Sequence, residues 1–305
     1  MLQLLTGQAV NADHSPYPGL RMLPRELQAD LLLHHSERLE IEQLIAQRQI
    51  EPVFQPIVSL RDGTVHGHES LSRLTHTGVI ASPEELFDKA RMHGLTAKIE
   101  TLCRDKALTH ASKIGLAGMI FLNVCPALLH TEEHRRGYTA NLLEQLGLDR
   151  SRVVFELTEK TLIDDYALFE KGVEHYRSQG YKIAIDDLGE GYAGLKMLAQ
   201  VIPDYVKLAR FLVTEIDTAP TKQSLVEAIL CFCKKIGVQV IAEGIERPEE
   251  FQYLSAIGVD FGQGYLLGKP AVTPIAHEIF PLPQRPFATS GCFPEIPCRL
   301  TAFRR

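Results

Sequence analysis

The stretch PVFQPIVSLRDGTVHGHESL, residues 52–71, decides the fold. Two β-rich runs are separated only by Arg61-Asp62-Gly63. An Asp-Gly pair in so short a connection marks a hairpin, and a hairpin joins antiparallel strands. Downstream the pattern changes. The runs MIFLNV, VVFELTE, KIAIDDL, DYVKLA, VQVIAEG and FGQGYLL follow one another, with helical segments between most of them. Helices are expected over Pro83–Ile114, Tyr166–Gln179 and Thr221–Ile236, and an earlier one from about Glu37 to Gln49, where Leu39, Ile41, Leu44 and Ile45 recur at helical spacing. Repeated strand-then-helix order implies a mostly parallel sheet. Eight runs in a body of this length predict a TIM-type β/α barrel with one antiparallel strand near its start.

The ends carry less pattern. Residues 1–37 include the turn-rich DHSPYPG and are expected to be an N-terminal extension; residues 283–305 hold four prolines and read as a C-terminal tail. The barrel is then residues 38–282. The 305-residue chain is 45% hydrophobic and 23% charged, ordinary for a globular protein. Its net charge of −6 argues against a duplex nucleic-acid binder. No apolar stretch is long enough to span a bilayer, and the first residues lack the pattern of a signal peptide. A cytoplasmic location with reduced, scattered cysteines is the expectation.

In a β/α barrel the chemistry sits at the C-terminal ends of the strands. The second run reaches Glu69, with Arg73 beyond it; the third ends in Asn123, the fourth in Glu156 with Glu159 following, the fifth in Asp186 and Asp187. The sixth carries Lys207, the seventh ends in Glu243 with Glu246 following, and the eighth run is expected to begin with Gln263. One acid at a strand end is usually a cap or a solvated loop residue. Acids, amides and a lysine at seven strand ends converge only if they share one rim. Five carboxylates against one lysine leave an excess of negative charge that two divalent cations would cancel. Carboxylates with amide oxygens suit Mg²⁺ or Mn²⁺ rather than zinc. The glycines at 189 and 191 are expected to break the strand so that both aspartates reach a cation. A pair of hard cations suits phosphate-ester hydrolysis, with Lys207 steadying the attacking water and Arg73 binding a phosphate in two-pronged fashion. His66 and His68 fall on the face opposite Glu69 and are expected to pack under a helix or reach solvent.

The order FQPIVSLRDGTVHGHESLSRL, FLNVCPALL, VVFELTE, KIAIDDLGEGYAGL, DYVKLAR, VIAEGIE and QGYLLGKP resembles the EAL-domain phosphodiesterases of bacterial cyclic di-GMP signalling, over about residues 38–282. The resemblance implies hydrolysis of cyclic di-GMP to linear pGpG with two Mg²⁺ or Mn²⁺ ions per site, and a homodimer formed through the barrel. It makes Glu69, Asn123, Glu156 and Asp186 metal ligands, has Asp187 help hold the second metal, and completes the site with Gln263. Lys207 and Glu243 would position and activate water, and Arg73 would grip a substrate phosphate. Glu159 would fix the loop that begins at Asp186 and link metal binding to dimerisation; Glu246 would support the site from behind. The chain departs from the family pattern at Ser70, in the loop DDLGEGYAG, at Ala209 and at Gly268. Some relatives bind cyclic di-GMP without cutting it and signal through a protein partner, so a non-catalytic receptor is the alternative. Hydrolysis of another phosphodiester is a third reading.

Overall fold

The computed structural model describes residues 24–75, 78–125, 137–158, 166–191 and 194–274. Eight strands close into one barrel in sequence order. They are β1 Ile50–Ser59, β2 Val65–Leu74, β3 Met119–Val124, β4 Val153–Thr158, β5 Lys182–Leu188, β6 Tyr205–Leu208, β7 Gln239–Ala242 and β8 Phe261–Gly262. β1 is the reversed strand: it pairs antiparallel with β8, and the hairpin turn joins it to β2. The ladders from β2 through β8 are parallel. The expected architecture is therefore present.

Nine helices are described: α1 Arg25–Gln47, α2 Pro83–Met92, α3 Thr96–Lys113, α4 Tyr138–Leu146, α5 Tyr166–Ser178, α6 Gly194–Val201, the short α7 Arg210–Val213, α8 Pro220–Ile236 and α9 Pro248–Ile257. Two differences from the sequence reading have local causes. α1 begins well before Glu37, just after Pro24, because the turn-rich stretch ends there and Arg25 onward holds good helix formers. The segment expected as one helix over Pro83–Ile114 is two. His93 and Gly94 end α2, and Gly94 takes a left-handed φ of 67° that a continuous helix does not accommodate. Among the described residues no helix is long and apolar enough to cross a membrane. Among the described residues, Cys103, Cys125, Cys231 and Cys233 are in no disulfide.

The chain divides into two compact units. The smaller takes the residues up to Glu51 and Ser72–Cys103. It has its own apolar core of Ile41, Leu44, Ile50, Ile80, Leu86, Ile99 and Leu102. Ser82 caps α2 by accepting the Glu85 N–H at 3.1 Å, and Glu85 returns a carboxylate oxygen to the Ala81 N–H at 2.9 Å. These bonds satisfy donors that the first helical turn leaves open.

The larger unit takes Pro52–Leu71 and the chain from Arg104 onward. Its main core packs the outward faces of the strands against the helices, with Phe155 between Tyr176 and Tyr181 at ring distances of 4.7 and 5.0 Å. A separate cluster of Ile57, Phe121, Val154, Ala184, Tyr205, Ile241 and Phe261 fills the barrel interior. His66 joins this layer, stacked on Phe261 at 4.0 Å and 3.0 Å from the Tyr205 hydroxyl, half-buried there rather than packed under a helix. The next residue, Gly67, lies tight against β3: a Cβ there would come to 2.5 Å from the Met119 carbonyl oxygen. His68 is buried in the wall, and burial pushes its imidazole down to about 4.

Two aspartates tie the start of one strand to the next. Asp204, just before β6, accepts the Ile183 N–H at 2.9 Å, and Asp260, just before β8, accepts the Val240 N–H at 2.9 Å. In the hairpin turn Asp62 accepts from the Thr64 hydroxyl at 2.7 Å and from its N–H at 3.1 Å. The hydroxyl bond first, then the backbone bond, holds the Asp62 carboxyl down to about 2.

Because the folded carboxyl titrates below its ordinary 3.8, its contribution to the turn is complete above that value and is lost as pH falls toward about 2. An NMR titration should place the Asp62 midpoint near 2, and Thr64→Val should move it back toward 3.8. Phe155→Ala should lower unfolding stability by about 3–5 kcal/mol in a urea titration, since a fully buried ring is removed from a closed core.

Candidate active site in the barrel mouth

Side chains of a strand alternate between its two faces, so residues two steps apart share a face. Two steps beyond the interior residues Phe121, Val154, Ala184, Tyr205, Ile241 and Phe261 stand Asn123, Glu156, Asp186, Lys207, Glu243 and Gln263. Glu69 stands two steps beyond Gly67 in β2. β1 runs the other way, so its contribution is two steps earlier than Ile57, at Gln55. The apolar layer is thus the floor of a polar layer, and the barrel brings the predicted residues together.

Lys207 is the centre. Its Nζ lies 3.1 Å from Glu69 Oε2, 2.8 Å from Glu156 Oε1, 3.0 Å from Asp186 Oδ1 and 2.7 Å from Glu243 Oε1. The lysine and Glu156 are each 0% exposed. Burial works against the lysine charge, yet Asp186, Glu156, Glu243 and Glu69 together hold its pKa well above the ordinary value. The acids divide. Burial raises Glu69, but Lys207 and the hydrogen bonds from Gln263, Lys207 and Asn123 outweigh it and leave it low. Burial and the neighbouring acids win at Glu156, which is raised well above the carboxylate range. Asp186 is raised, and Glu243 is pushed up to about 8, burial being the largest cause in both. One lysine therefore does not balance this set of acids.

The adjacent aspartates reach one place by a bulge. Ile185 pairs with Val206 and Leu188 with Leu208, so β5 holds one residue more than β6 over the same span. Asp187 takes a left-handed φ of 56°, uncommon for a residue with a side chain. Oxygens of Asp186, Asp187 and Glu243 then lie within 4.8 Å of one another. This corrects the expectation that the strand breaks into loop: β5 runs on through Leu188. Gly189 follows with φ 110°, and a Cβ there would press to 2.9 Å from Leu212 Cδ1.

Amides complete the ring. Asn123 Nδ2 donates to Glu69 Oε1 at 3.2 Å, and Gln263 Nε2 donates to Glu69 Oε2 at 2.6 Å and to Gln55 Oε1 at 3.0 Å. Gln263 follows the end of β8 rather than beginning it. Gln55 was not singled out from the sequence; the signal was available, since a reversed strand presents its early residues to the rim. It donates to the Gly268 carbonyl at 3.0 Å.

The remaining candidates stand elsewhere. Glu246 pairs with Arg210 at 2.9 Å on the surface. Arg73 is exposed in the smaller unit and donates to the Ser72 carbonyl at 3.0 Å. Glu159 lies outside the described residues. Ser70 and Gly268 leave Glu69 and Gln263 in place, and Ala209 is buried where α7 begins.

The donor set fits hard divalent cations. Glu156 Oε2 and Gln263 Oε1 are buried oxygens without a hydrogen-bond donor, and three further carboxylates converge beside them. The EAL domain family profile matches residues 38–270, most of the chain. This chain belongs to the EAL domain family. The cyclic di-GMP phosphodiesterase NbdA of Pseudomonas aeruginosa is 28% identical over 253 residues, which cover 79% of this chain and 32% of NbdA. The EAL domain thus spans about a third of that relative's length. Among solved structures, the EAL enzyme Bd1971 with cAMP and cyclic di-GMP bound is similar with a TM-score of 0.72 at 28% identity, covering 81% of this chain and 68% of that one. The manganese and cyclic di-GMP complex of Klebsiella pneumoniae BlrP1 is similar with a TM-score of 0.67 at 29% identity, covering 73% of this chain and 56% of that one.

Lys207→Met removes the only cation that touches these four acids in the described structure. In EDTA the variant should be less stable than the parent by about 3–5 kcal/mol. Excess Mg²⁺ or Mn²⁺ should recover more stability in the variant than it adds to the parent, as read by thermal unfolding.

Proposed function

We propose that this EAL domain hydrolyses cyclic di-GMP to linear pGpG with two Mg²⁺ or Mn²⁺ ions. The observation that carries the reading is the ring of buried acids around Lys207, in which Glu156 Oε2 and Gln263 Oε1 have no hydrogen-bond donor. The cyclic di-GMP bound to Bd1971 and the manganese in the BlrP1 complex support the choice of substrate and of metal. Glu69, Asn123, Glu156, Asp186, Asp187 and Gln263 would hold the cations. Two such ions, when bound, neutralise phosphate oxygens and lower the pKa of a water molecule.

The protein's own groups do the rest. Gln263 and Asn123 hold Glu69 from both sides, fixing that carboxylate before any ligand arrives. Lys207 is locked in place by its four contacts, so its charge needs no rearrangement when negative charge builds at phosphorus. Glu243, 2.7 Å from the lysine and with an oxygen within 4.8 Å of those of Asp186 and Asp187, is placed to take the proton of the attacking water. The water oxygen bonds to phosphorus as the bond between phosphorus and the ribose oxygen breaks; the water's proton passes to Glu243 in its ionised form, and the departing ribose oxygen takes a proton from solvent. Arg73 as the phosphate grip and Glu159 as the support of the loop carry over from the sequence motif alone. A homodimer through the barrel is the expected assembly, and the exposed Leu195, Ile202 and Phe211 offer apolar surface for it.

Product analysis of the purified protein with cyclic di-GMP tests this. The parent with Mg²⁺ or Mn²⁺ should form pGpG, and Glu69→Ala or EDTA should stop it. Tight binding without turnover would point to the receptor function; neither binding nor turnover would remove the dinucleotide from the account.

A further inference from the structure

A second group of metal-type ligands lies in the smaller unit, apart from the carboxylate ring. His34 and Glu37 sit three residues apart on α1, hence on one helix face. His93 caps the C-terminus of α2. One ligand atom from each of the three comes within 4.8 Å of the others. His93 Nε2 is 3.3 Å from Glu37 Oε2, about the separation of two ligands on one tetrahedral zinc ion at 2.0–2.1 Å bond lengths. The His34 and His93 rings meet edge to face at 5.5 Å between centroids and 74° between planes. The Glu37 and His93 side chains are only 7% and 8% exposed, while His34 stands at the surface.

We propose that His34, Glu37 and His93 form a zinc-type cation site that fastens α1 to the end of α2. Two imidazoles and one carboxylate suit Zn²⁺, in contrast to the oxygen-only set of the barrel mouth. Three protein ligands leave a fourth position for water on the exposed side of His34. The oxygens of Glu37 are already divided between tasks. Oε1 receives the Lys89 ammonium, and Oε2 faces His93. Oε2 can therefore ligate while Lys89 keeps the carboxylate oriented, the support that metal-bound carboxylates ordinarily have. Lys89 also has Glu85 at 3.5 Å, one helical turn away, so it is not stranded if Glu37 shifts toward a cation.

The bland alternative is a plain ion-pair cluster. It predicts that divalent cations leave these histidines untouched. The discriminating experiment is a Co²⁺ titration of the full chain in excess Mg²⁺, followed by visible absorption and by displacement with Zn²⁺. The parent should show the intense bands of tetrahedral Co²⁺, and Zn²⁺ should abolish them. His34→Ala and His93→Gln should each weaken this binding by at least about tenfold. Thermal unfolding should shift upward with Zn²⁺ in the parent and much less in His34→Ala. His34 is exposed, so its variant keeps the fold and decides the matter even if the His93 variant is unstable. Absence of the bands in the parent, or bands that persist unchanged in His34→Ala, would overturn the site.

Discussion

A buried ammonium in contact with four carboxylates is the constraint on which the rest of the barrel depends. Lys207 comes from β6, a strand of four residues that are all buried. A charge at that depth is tolerated only when it is paired and hydrogen-bonded, and the partners come from β2, β4, β5 and the residue that follows β7. The closed barrel is what lets strands distant in sequence meet at one nitrogen. Conversely, the ring would be unfavourable in an open sheet, where no strand end faces all the others. The apolar floor of Phe121, Tyr205, Phe261 and their neighbours closes the site from below and keeps the local dielectric low. Low dielectric strengthens both the pairing and the repulsion. That is why Glu69 stays acidic while Glu156 and Glu243 are driven upward.

The second constraint is geometric. Two consecutive residues of a regular strand point to opposite faces, so Asp186 and Asp187 could not share a ligand without an irregularity. The extra residue in β5 and the left-handed backbone at Asp187 supply it. Such a conformation costs roughly 1–3 kcal/mol and persists where surrounding structure enforces it. Here the enforcement is visible: Leu188 returns to register with Leu208 and accepts the Ala209 N–H at 3.2 Å, while Gly189 takes up the φ that a side chain would resist. The strain sits at the residues that would receive a cation.

Much of this was legible in the sequence. The Asp-Gly turn at Asp62 and Gly63 gave away the reversed strand, and the polar ends of seven runs gave away the rim. What stayed hidden depends on three-dimensional pairing. Gln55 was missed because β1 is antiparallel and shows its early residues to the rim. The bulge was missed because its evidence is a register between β5 and β6, which no local pattern records. His66 makes its contacts with Tyr205 and Phe261, residues of other strands, which alternation along β2 does not record. The start of α1 was set late because its exposed leucines at 27, 32 and 33 blur the apolar stripe.

The acids around Lys207 are proposed to hold two hard cations. Electron paramagnetic resonance counts free Mn²⁺ directly, so titrating the parent and Glu156→Gln measures the ions each removes from solution. The account predicts that the parent takes up about two tightly held Mn²⁺ per chain, close enough to perturb each other's spectrum, and that Glu156→Gln loses at least one. Equal, weak uptake by both proteins would contradict it.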